Sequence, residues 1–142
     1  YIGMRGVWKK YVEKETDIIE LRRLCCIDDT LKNTESYFIG YTLRWLRDNT
    51  EIKKVISYAD KTYGYADETY NHRGVIYKAS NFKHLGMTNK GKVIVYKNKI
   101  YHDKTIRTKK PYAERIKTAL DNGTAHYRDT LQKHIYMYEL RN

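Results

Sequence analysis

The sequence predicts an α/β fold, with a mixed sheet and flanking helices followed by a basic strand–helix–strand extension. In the first half, strand-like apolar runs alternate with a segment of helical spacing, which is the pattern of a βαβ unit. A length of 142 residues favours one domain, and a hydrophobic content of 41% suffices for a core and excludes a disordered chain. Residues 1–82 hold 14 Lys and Arg against 12 Asp and Glu, whereas residues 83–142 hold 14 against 5.

The first predicted elements are a strand, a capped helix and a second strand. Residues 1–11 resemble a loop or the end of a strand, and the apolar run 18–27 predicts a central strand covered on both faces. Charges on such a strand, those of Glu20, Arg22 and Arg23, are either paired with each other or functional.

The helix of this unit begins at a cap supplied by Asn33 or Thr34 and ends at 48–50. One apolar face is expected from Phe38, Ile39, Thr42, Leu43, Trp45 and Leu46, which follow at helical spacing. Residues 54–59 form the next strand, and a right-handed crossover is expected between the two strands. A tandem repeat of seven residues then occupies 58–71 and predicts a lengthened loop. Residues 74–80 fit either a strand or a helix.

The last part of the chain predicts a hairpin, a helix and a strand. The hairpin turns at Asn98, which tolerates a positive φ angle. Pro111 suits the first position of a helix that Gly123 ends, and residues 133–140 alternate like a half-buried strand. The expected organisation is an α/β core over residues 1–86 and a basic extension over 87–142 that packs on it.

The concentration of positive charge indicates a polyanion as partner, with nucleic acid ahead of an anionic membrane. A basic surface that only promotes solubility is the alternative. Interleaved Tyr96, Tyr101 and Tyr112 suit stacking or sugar contacts. The residues expected to contact DNA phosphates are Lys90, Lys92, Lys97, Lys99, Lys104, Arg107, Lys109 and Lys110.

Cysteines and histidines give few metal signals. The adjacent Cys25 and Cys26 exclude a disulfide scaffold, and buried small apolar residues are their simplest interpretation. None of the five histidines has zinc-finger spacing, and His72 is the one candidate for a metal ligand or base. With a carboxylate such as Asp60 it would suit iron. No apolar run is long enough to cross a membrane and no signal segment is present, so the chain is expected in the cytoplasm or as a processed piece.

The candidate site lies where the second strand ends and the helix begins. Ligands of open α/β sheets bind beyond the carboxyl ends of strands, which points to Ser57, Tyr58 and Asp60. Asp60 would accept a proton or hold a metal there, or else cap a turn. Glu35 and Ser36 at the helix start would face the same edge, and Glu35 and Ser57 are counted with Asp60 as catalytic candidates. Ordinary helix capping by Glu35 and Asn33 is the alternative.

The order of motifs resembles the second half of the GNAT acetyltransferase fold. Residues 20–24 (Glu-Leu-Arg-Arg-Leu), the helix from Glu35, the strand ending at 57–60 and residues 77–82 (Tyr-Lys-Ala-Ser-Asn-Phe) carry that resemblance. It implies that 74–80 is helical and that Tyr77 is a general acid, since a phenol can donate a proton to a leaving group. A packed tyrosine is the alternative.

The text of residues 17–86 is more closely similar to the Mom-like family of phage DNA-modification proteins, a divergent branch of that fold. The matching stretches are 20–24, 32–38, 57–60 and 72–82, with looser likeness at 101–103 and 133–136. The resemblance implies a transferase that alters adenine in double-stranded phage DNA within the host cytoplasm and so protects it from restriction. Flipping the base out of the duplex is then expected.

Substrate or cofactor contacts are assigned to five residues on the same basis. Asn81 would pair with an adenine edge or cap its helix. The others are Arg22, Asn33, Ser36 and Tyr58. A conventional acyltransferase and a non-catalytic DNA-binding module are the rival interpretations.

Two departures from the acetyltransferase pattern qualify what the resemblance implies. The turn at 32–36 has no glycine and carries Glu35, so acyl-CoA is not expected to bind, because a carboxylate repels pyrophosphate. The donor stays unknown. Only about 16 residues precede the strand of Glu20, fewer than the full fold has. The expectation is either a fragment of a longer chain or strands supplied by a homodimer partner or a complementary chain.

Overall fold

The fold was obtained as a computed structural model that describes residues 2–8, 14–27, 29–59 and 74–141. The chain forms two compact units. The first comprises Tyr1–Thr88 with Lys133–Asn142, and the second comprises Asn89–Gln132. In chain order, the elements are β1 (Ile2–Trp8), β2 (Lys14–Leu24), α1 (Thr34–Asn49), β3 (Lys54–Ala59), α2 (Val75–Ala79), β4 (Lys83–Met87), β5 (Lys92–Tyr96), β6 (Lys99–His102), a 3₁₀ helix (Asp103–Arg107), α3 (Pro111–Asp121), β7 (Ala125–Asp129) and β8 (His134–Glu139).

The first unit is built on a mixed sheet of five strands in the order β1-β2-β3-β8-β4. Strands β2 and β3 are parallel, with α1 between them in the chain, so the predicted βαβ unit is confirmed. The other three pairings are antiparallel. The mixed α/β class expected from the sequence is therefore present.

The core of the first unit lies between α1 and the sheet. Helix α1 buries Ile39, Leu43 and Leu46, which recur at helical spacing as the sequence predicts. They join Leu21 of β2 and Val55 of β3, both nearly or fully excluded from solvent. Trp45, predicted on the same face, is instead 51% exposed.

The expectation of a β2 covered on both faces is wrong at its carboxyl end. Arg22 and Arg23 are exposed, so neither is a buried charge in need of a partner. The cause is the pairing: β2 pairs with β3 only as far as Leu21↔Ser57, and beyond that point β1 is its one neighbour among the strands that the structure describes. Cys25, expected to be buried, is exposed just beyond the end of β2, and Cys26 is half-buried.

Two further segments complete the first unit, one as expected and one against the predicted organisation. The ambiguous segment is helical, as the resemblance implied, with α2 flanked by Gly74 and Ser80. The last strand, assigned to the extension by the sequence, instead belongs to the first unit, where β8 pairs with both β3 and β4. Strands β1 and β4 are formed by segments whose sequence shows no clear strand pattern.

The second unit is a three-stranded antiparallel sheet, ordered β6-β5-β7, with α3 packed on it. Its core joins Ile94 to Ile116 of α3. The predicted hairpin is present, and Lys97 has a positive φ (48°) as well as Asn98 (59°). Pro111 begins α3 as expected, and Gly123 follows its end at a φ of +80°. No helix in the described part of the chain is both long and apolar enough to cross a membrane.

Candidate functional site

The candidate site of the first unit is a cleft between the diverging ends of two parallel strands. Pairing of β2 with β3 stops at Leu21↔Ser57, yet β2 continues to Leu24 and β3 to Ala59. The strands therefore separate at their carboxyl ends, the edge of an α/β sheet at which ligands collect. The cleft measures about 940 Å³, within the range of small-molecule sites.

Five segments line this cleft. Leu24 comes from the end of β2, Tyr58 and Ala59 come from the end of β3, and the loop between β2 and α1 contributes residues from Cys26 to Asn33. The first turn of α1 and the helix α2 close the other sides. Among the described lining residues, the charged ones are Lys32 and Glu35, so the cleft is mixed in polarity rather than strongly charged.

The turn before α1 is built by side chains that bond its backbone. Asn33 precedes the helix in the left-handed conformation (φ 69°) and makes no side-chain cap. Thr34 Oγ1 instead donates to the Leu31 carbonyl at 2.6 Å, and Ser36 Oγ donates to the Asn33 carbonyl at 3.0 Å. The predicted cap position is correct, but the predicted capping hydrogen bond is absent from this described segment. Glu35 lines the cleft in the first helical turn, where the helix N-terminus stabilises a carboxylate.

Tyr77 lines the cleft and is held in place by two neighbouring aromatic rings. Its ring centroid lies 5.5 Å from that of Phe82 and 5.4 Å from that of Tyr136. These contacts fix the ring, while the residue itself is half-buried and lines the cleft. The arrangement holds a phenol at the cleft wall on a short helix.

Tyr136 beneath it is a feature that the sequence-based site did not include. It lies on β8, is 1% exposed, and its burial raises the pKa of its phenol above the ordinary value of 10.0. A Cβ atom on Gly74 would lie only 2.3 Å from Cε2 of this ring, so glycine permits the contact. Gly74 and Tyr136 are 62 positions apart in the sequence, so no local sequence pattern predicts this contact.

The structure brings together five of the predicted site residues in this cleft. They are Asn33, Glu35, Ser36, Tyr58 and Tyr77. Ser57 does not line the cleft: it is fully buried and its hydroxyl donates to the Leu21 carbonyl at 2.9 Å, which joins β3 to β2. Arg22 also lies outside the lining.

Asn81 stands in the turn after α2 at a φ of 62°, away from the cleft lining. Asp60 and His72 lie outside the described residues, so their assignments stay sequence-based predictions. Among the residues that the structure describes, no three His, Cys, Asp or Glu side chains form a metal-binding group. His84 and His134 do meet across β4 and β8, with Nε2 and Nδ1 3.1 Å apart.

The second unit carries the predicted phosphate-contacting residues. Residues 89–132 hold eleven Lys and Arg against four Asp and Glu. The eight predicted cations are all exposed and lie on the hairpin β5–β6, the 3₁₀ helix and the segments beside them. Lys97 Nζ lies 5.3 Å from the Tyr96 ring centroid, and Lys110 Nζ lies 5.7 Å from that of Tyr112, so cations and aromatic rings are adjacent as expected.

Comparison with protein families shows to which family the chain belongs. The sequence profile described as the Mom protein family matches residues 6–142. The chain belongs to the Mom protein family. No curated protein matches the sequence significantly. Membership suggests that this Mom family protein functions in the modification of phage DNA, and it extends across both units rather than the first alone.

Proposed function

We propose that this Mom family protein is a transferase that modifies adenine in phage DNA and protects that DNA from restriction. The observation that carries the proposal is the cleft at the diverging ends of β2 and β3, lined by Tyr58, Tyr77 and Glu35. Family membership supports the substrate class, and the basic second unit supports binding to a polyanion. A base enters such a cleft only after it leaves the duplex stack.

The chemistry proposed is attack by the exocyclic amine of adenine on an electrophilic carbon of the donor. A bond forms between nitrogen and that carbon, the bond to the leaving group breaks, and the amine loses one proton. Tyr77 would donate a proton to the leaving group, because its phenol lies at the cleft wall on a fixed ring. Asp60, directly after β3, is the base that the sequence predicts.

The cleft walls suit this substrate in a second respect. Tyr58 is 36% exposed at the end of β3 and offers an aromatic surface for stacking on an extruded base. Ile27 and Leu31, 76% and 86% exposed, add apolar surface at the cleft mouth. Stacking on such groups offsets part of the unstacking free energy, a few kcal/mol per base.

Replacement of Lys97, Lys99, Arg107 and Lys109 by Ala should weaken duplex binding several-fold per charge at low salt. All four side chains are exposed and have no ion pair within the described part of the chain. Each lost phosphate contact removes about one unit from the slope of log K against log salt, so the slope should flatten by about four units. Filter binding across a salt series measures it, and an unchanged slope would locate the DNA surface elsewhere.

Acetyl-CoA should bind weakly or not at all. Side chains of Asn33, Glu35 and Ser36 occupy the turn in which a pyrophosphate-binding loop exposes backbone N–H groups, and Glu35 adds a repelling charge. Calorimetry with millimolar acetyl-CoA measures the affinity. A micromolar Kd that is lost in Asn33→Ala would contradict this prediction and favour a conventional acyltransferase.

Restriction resistance tests the proposed function in cells. Plasmid DNA from cells that express the intact gene should resist cleavage at sites that contain adenine, and DNA from cells with the empty vector should be cut. The variant with Ala at positions 97, 99, 107 and 109 tests the contribution of DNA binding. Restriction resistance should fall in proportion to the loss of duplex affinity in this variant. Full cleavage of DNA from cells with a folded, DNA-binding chain would favour a non-catalytic DNA-binding module.

A further inference from the structure

A second, smaller cavity of about 220 Å³ opens on the first unit between α1, α2 and the end of β8. It adjoins the cleft, since Ser36 and Ala79 line both, but its other walls belong to later turns of α1 and to the turn after α2. Its polar lining comes from two arginines of α1 and from Ser36, Ser80, Asn81 and Tyr138. Tyr58 and Tyr77, the described residues with a part in the chemistry proposed above, are not among its lining residues.

The charge of this cavity is positive and not compensated within it. Arg44 and Arg47 line it from successive turns of α1, and no carboxylate is found among its described lining residues. Arg44 makes no ion pair with any residue that the structure describes. Arg47 uses Nε for Asp48, at 3.0 Å, so its terminal nitrogens stay available for an anion. The Asp48 hydrogen bond and charge raise the pKa of Arg47, which keeps the guanidinium charged.

A buried hydroxyl supplies the second, independent observation. Ser80 lines the cavity and is 9% exposed, yet its Oγ has no hydrogen-bond partner among the described residues. A buried polar atom without a partner costs about 1–3 kcal/mol, and native proteins keep few of them without a ligand or a function. A hydroxyl can donate to an anion that the arginines attract.

We propose that this cavity is a phosphate-binding site, in which Arg44, Arg47 and Ser80 contact the phosphate oxygens. Guanidinium groups match the tetrahedral oxyanion with several charge-assisted hydrogen bonds, and the volume accommodates one phosphate with part of the group that carries it.

The phosphate has two sources, a nucleic-acid strand or a small phosphorylated molecule, and the neighbouring surface favours the strand. Tyr37, Tyr41 and Trp45 recur every four residues along α1 and are 72%, 55% and 51% exposed. Arg44 shares that side of the helix with Tyr41 by its spacing. Exposed aromatic rings beside cations form stacking platforms for single-stranded bases. The strand as source rests on the proposed function; the phosphate site itself does not.

Inorganic phosphate tests the site directly, with sodium chloride added to hold the ionic strength constant. The wild-type chain should bind phosphate by calorimetry and melt at a higher temperature in its presence. Arg44→Gln and Ser80→Ala should each weaken binding about tenfold, whereas Arg115→Gln, a change at an exposed arginine of α3, should not. Ser80→Ala should melt no lower than wild type without phosphate, because it removes an unsatisfied buried hydroxyl.

Equal melting of the wild type in phosphate and in chloride would overturn the proposal, as would unchanged phosphate affinity in Arg44→Gln and Ser80→Ala. A fluorescent single-stranded oligonucleotide then identifies the source. If the strand supplies the phosphate, Arg44→Gln should weaken oligonucleotide binding about tenfold relative to Arg115→Gln, and inorganic phosphate should compete. If phosphate binds but oligonucleotide affinity is the same in both variants, a small molecule is the source. Failure of restriction resistance with phosphate binding intact would reject the proposed function alone.

Discussion

Tyr77→Phe is expected to reduce the modified adenine in cellular DNA by two or more orders of magnitude. The substitution removes one oxygen and keeps the ring that packs at 5.4–5.5 Å on Phe82 and Tyr136. A general acid contributes roughly 10²–10⁴-fold to a rate, so its loss should be visible in a quantitative assay of the product. The Tyr77 hydroxyl has no hydrogen bond to a described residue, and the fold therefore gives it no structural task.

The matched control for this variant is Tyr127→Phe on β7, where an exposed phenol lies outside the cleft. It should leave the modification unchanged. The free energy of unfolding of each variant should lie within about 1 kcal/mol of the wild-type value, because neither change removes more than one hydroxyl group. Near-normal modification in Tyr77→Phe would mean that Tyr77 has a packing role only, and Asp60 would then be the next catalytic candidate to test.

Gly74→Ala should be the most destabilising single substitution of the cleft, at a cost of about 3 kcal/mol or more. A left-handed conformation costs an L-residue of ordinary type about 1–2 kcal/mol, and Gly74 has a φ of +63°. The new Cβ would also lie 2.3 Å from Cε2 and 2.5 Å from Cζ of the buried Tyr136 ring, a core side chain with no space to move freely. Chemical denaturation measures the loss in free energy of unfolding.

Gly40→Ala provides a control of opposite sign in the same unit. Gly40 lies within α1, and a Cβ there would meet nothing nearer than Arg44 Nη1 at 3.5 Å. Alanine in a helix interior is favoured over glycine by up to about 1 kcal/mol, so this variant should be more stable than the wild type. A Gly74→Ala chain as stable as wild type would mean that the α2–β8 contact is not as close as described.

Local patterns in the sequence predict the βαβ unit and much of the second unit. The apolar spacing of α1, the positive-φ turn at Asn98 and the position of Pro111 act within a few residues, and each of these predictions is confirmed. Strands β4 and β7 are mostly exposed, with no apolar alternation that would mark them. The insertion of β8 between β3 and β4 depends on pairing over long separations, which local spacing does not encode.

The candidate site was predictable in position and less so in detail. The end of β3 and the start of α1 do meet at one edge of the sheet, as parallel strands require. Pairing of β3 with β2 ends at Ser57, however, so Ser57 is buried against β2 whereas Tyr58 and Ala59, beyond the last paired residue, line the cleft. The approach of Tyr136 to Gly74 and the cavity lined by Ser80 arise from tertiary packing alone.

Mass spectrometry of nucleosides tests the central claim most directly. DNA is taken from cells that express the wild-type chain, the Tyr77→Phe chain or the empty vector, and is digested to nucleosides. We predict a deoxyadenosine of increased mass in the wild-type sample, at least a hundredfold less of it with Tyr77→Phe, and none with the vector. Unmodified deoxyadenosine alone in cells that hold a folded, DNA-binding wild-type chain would contradict the proposed transferase.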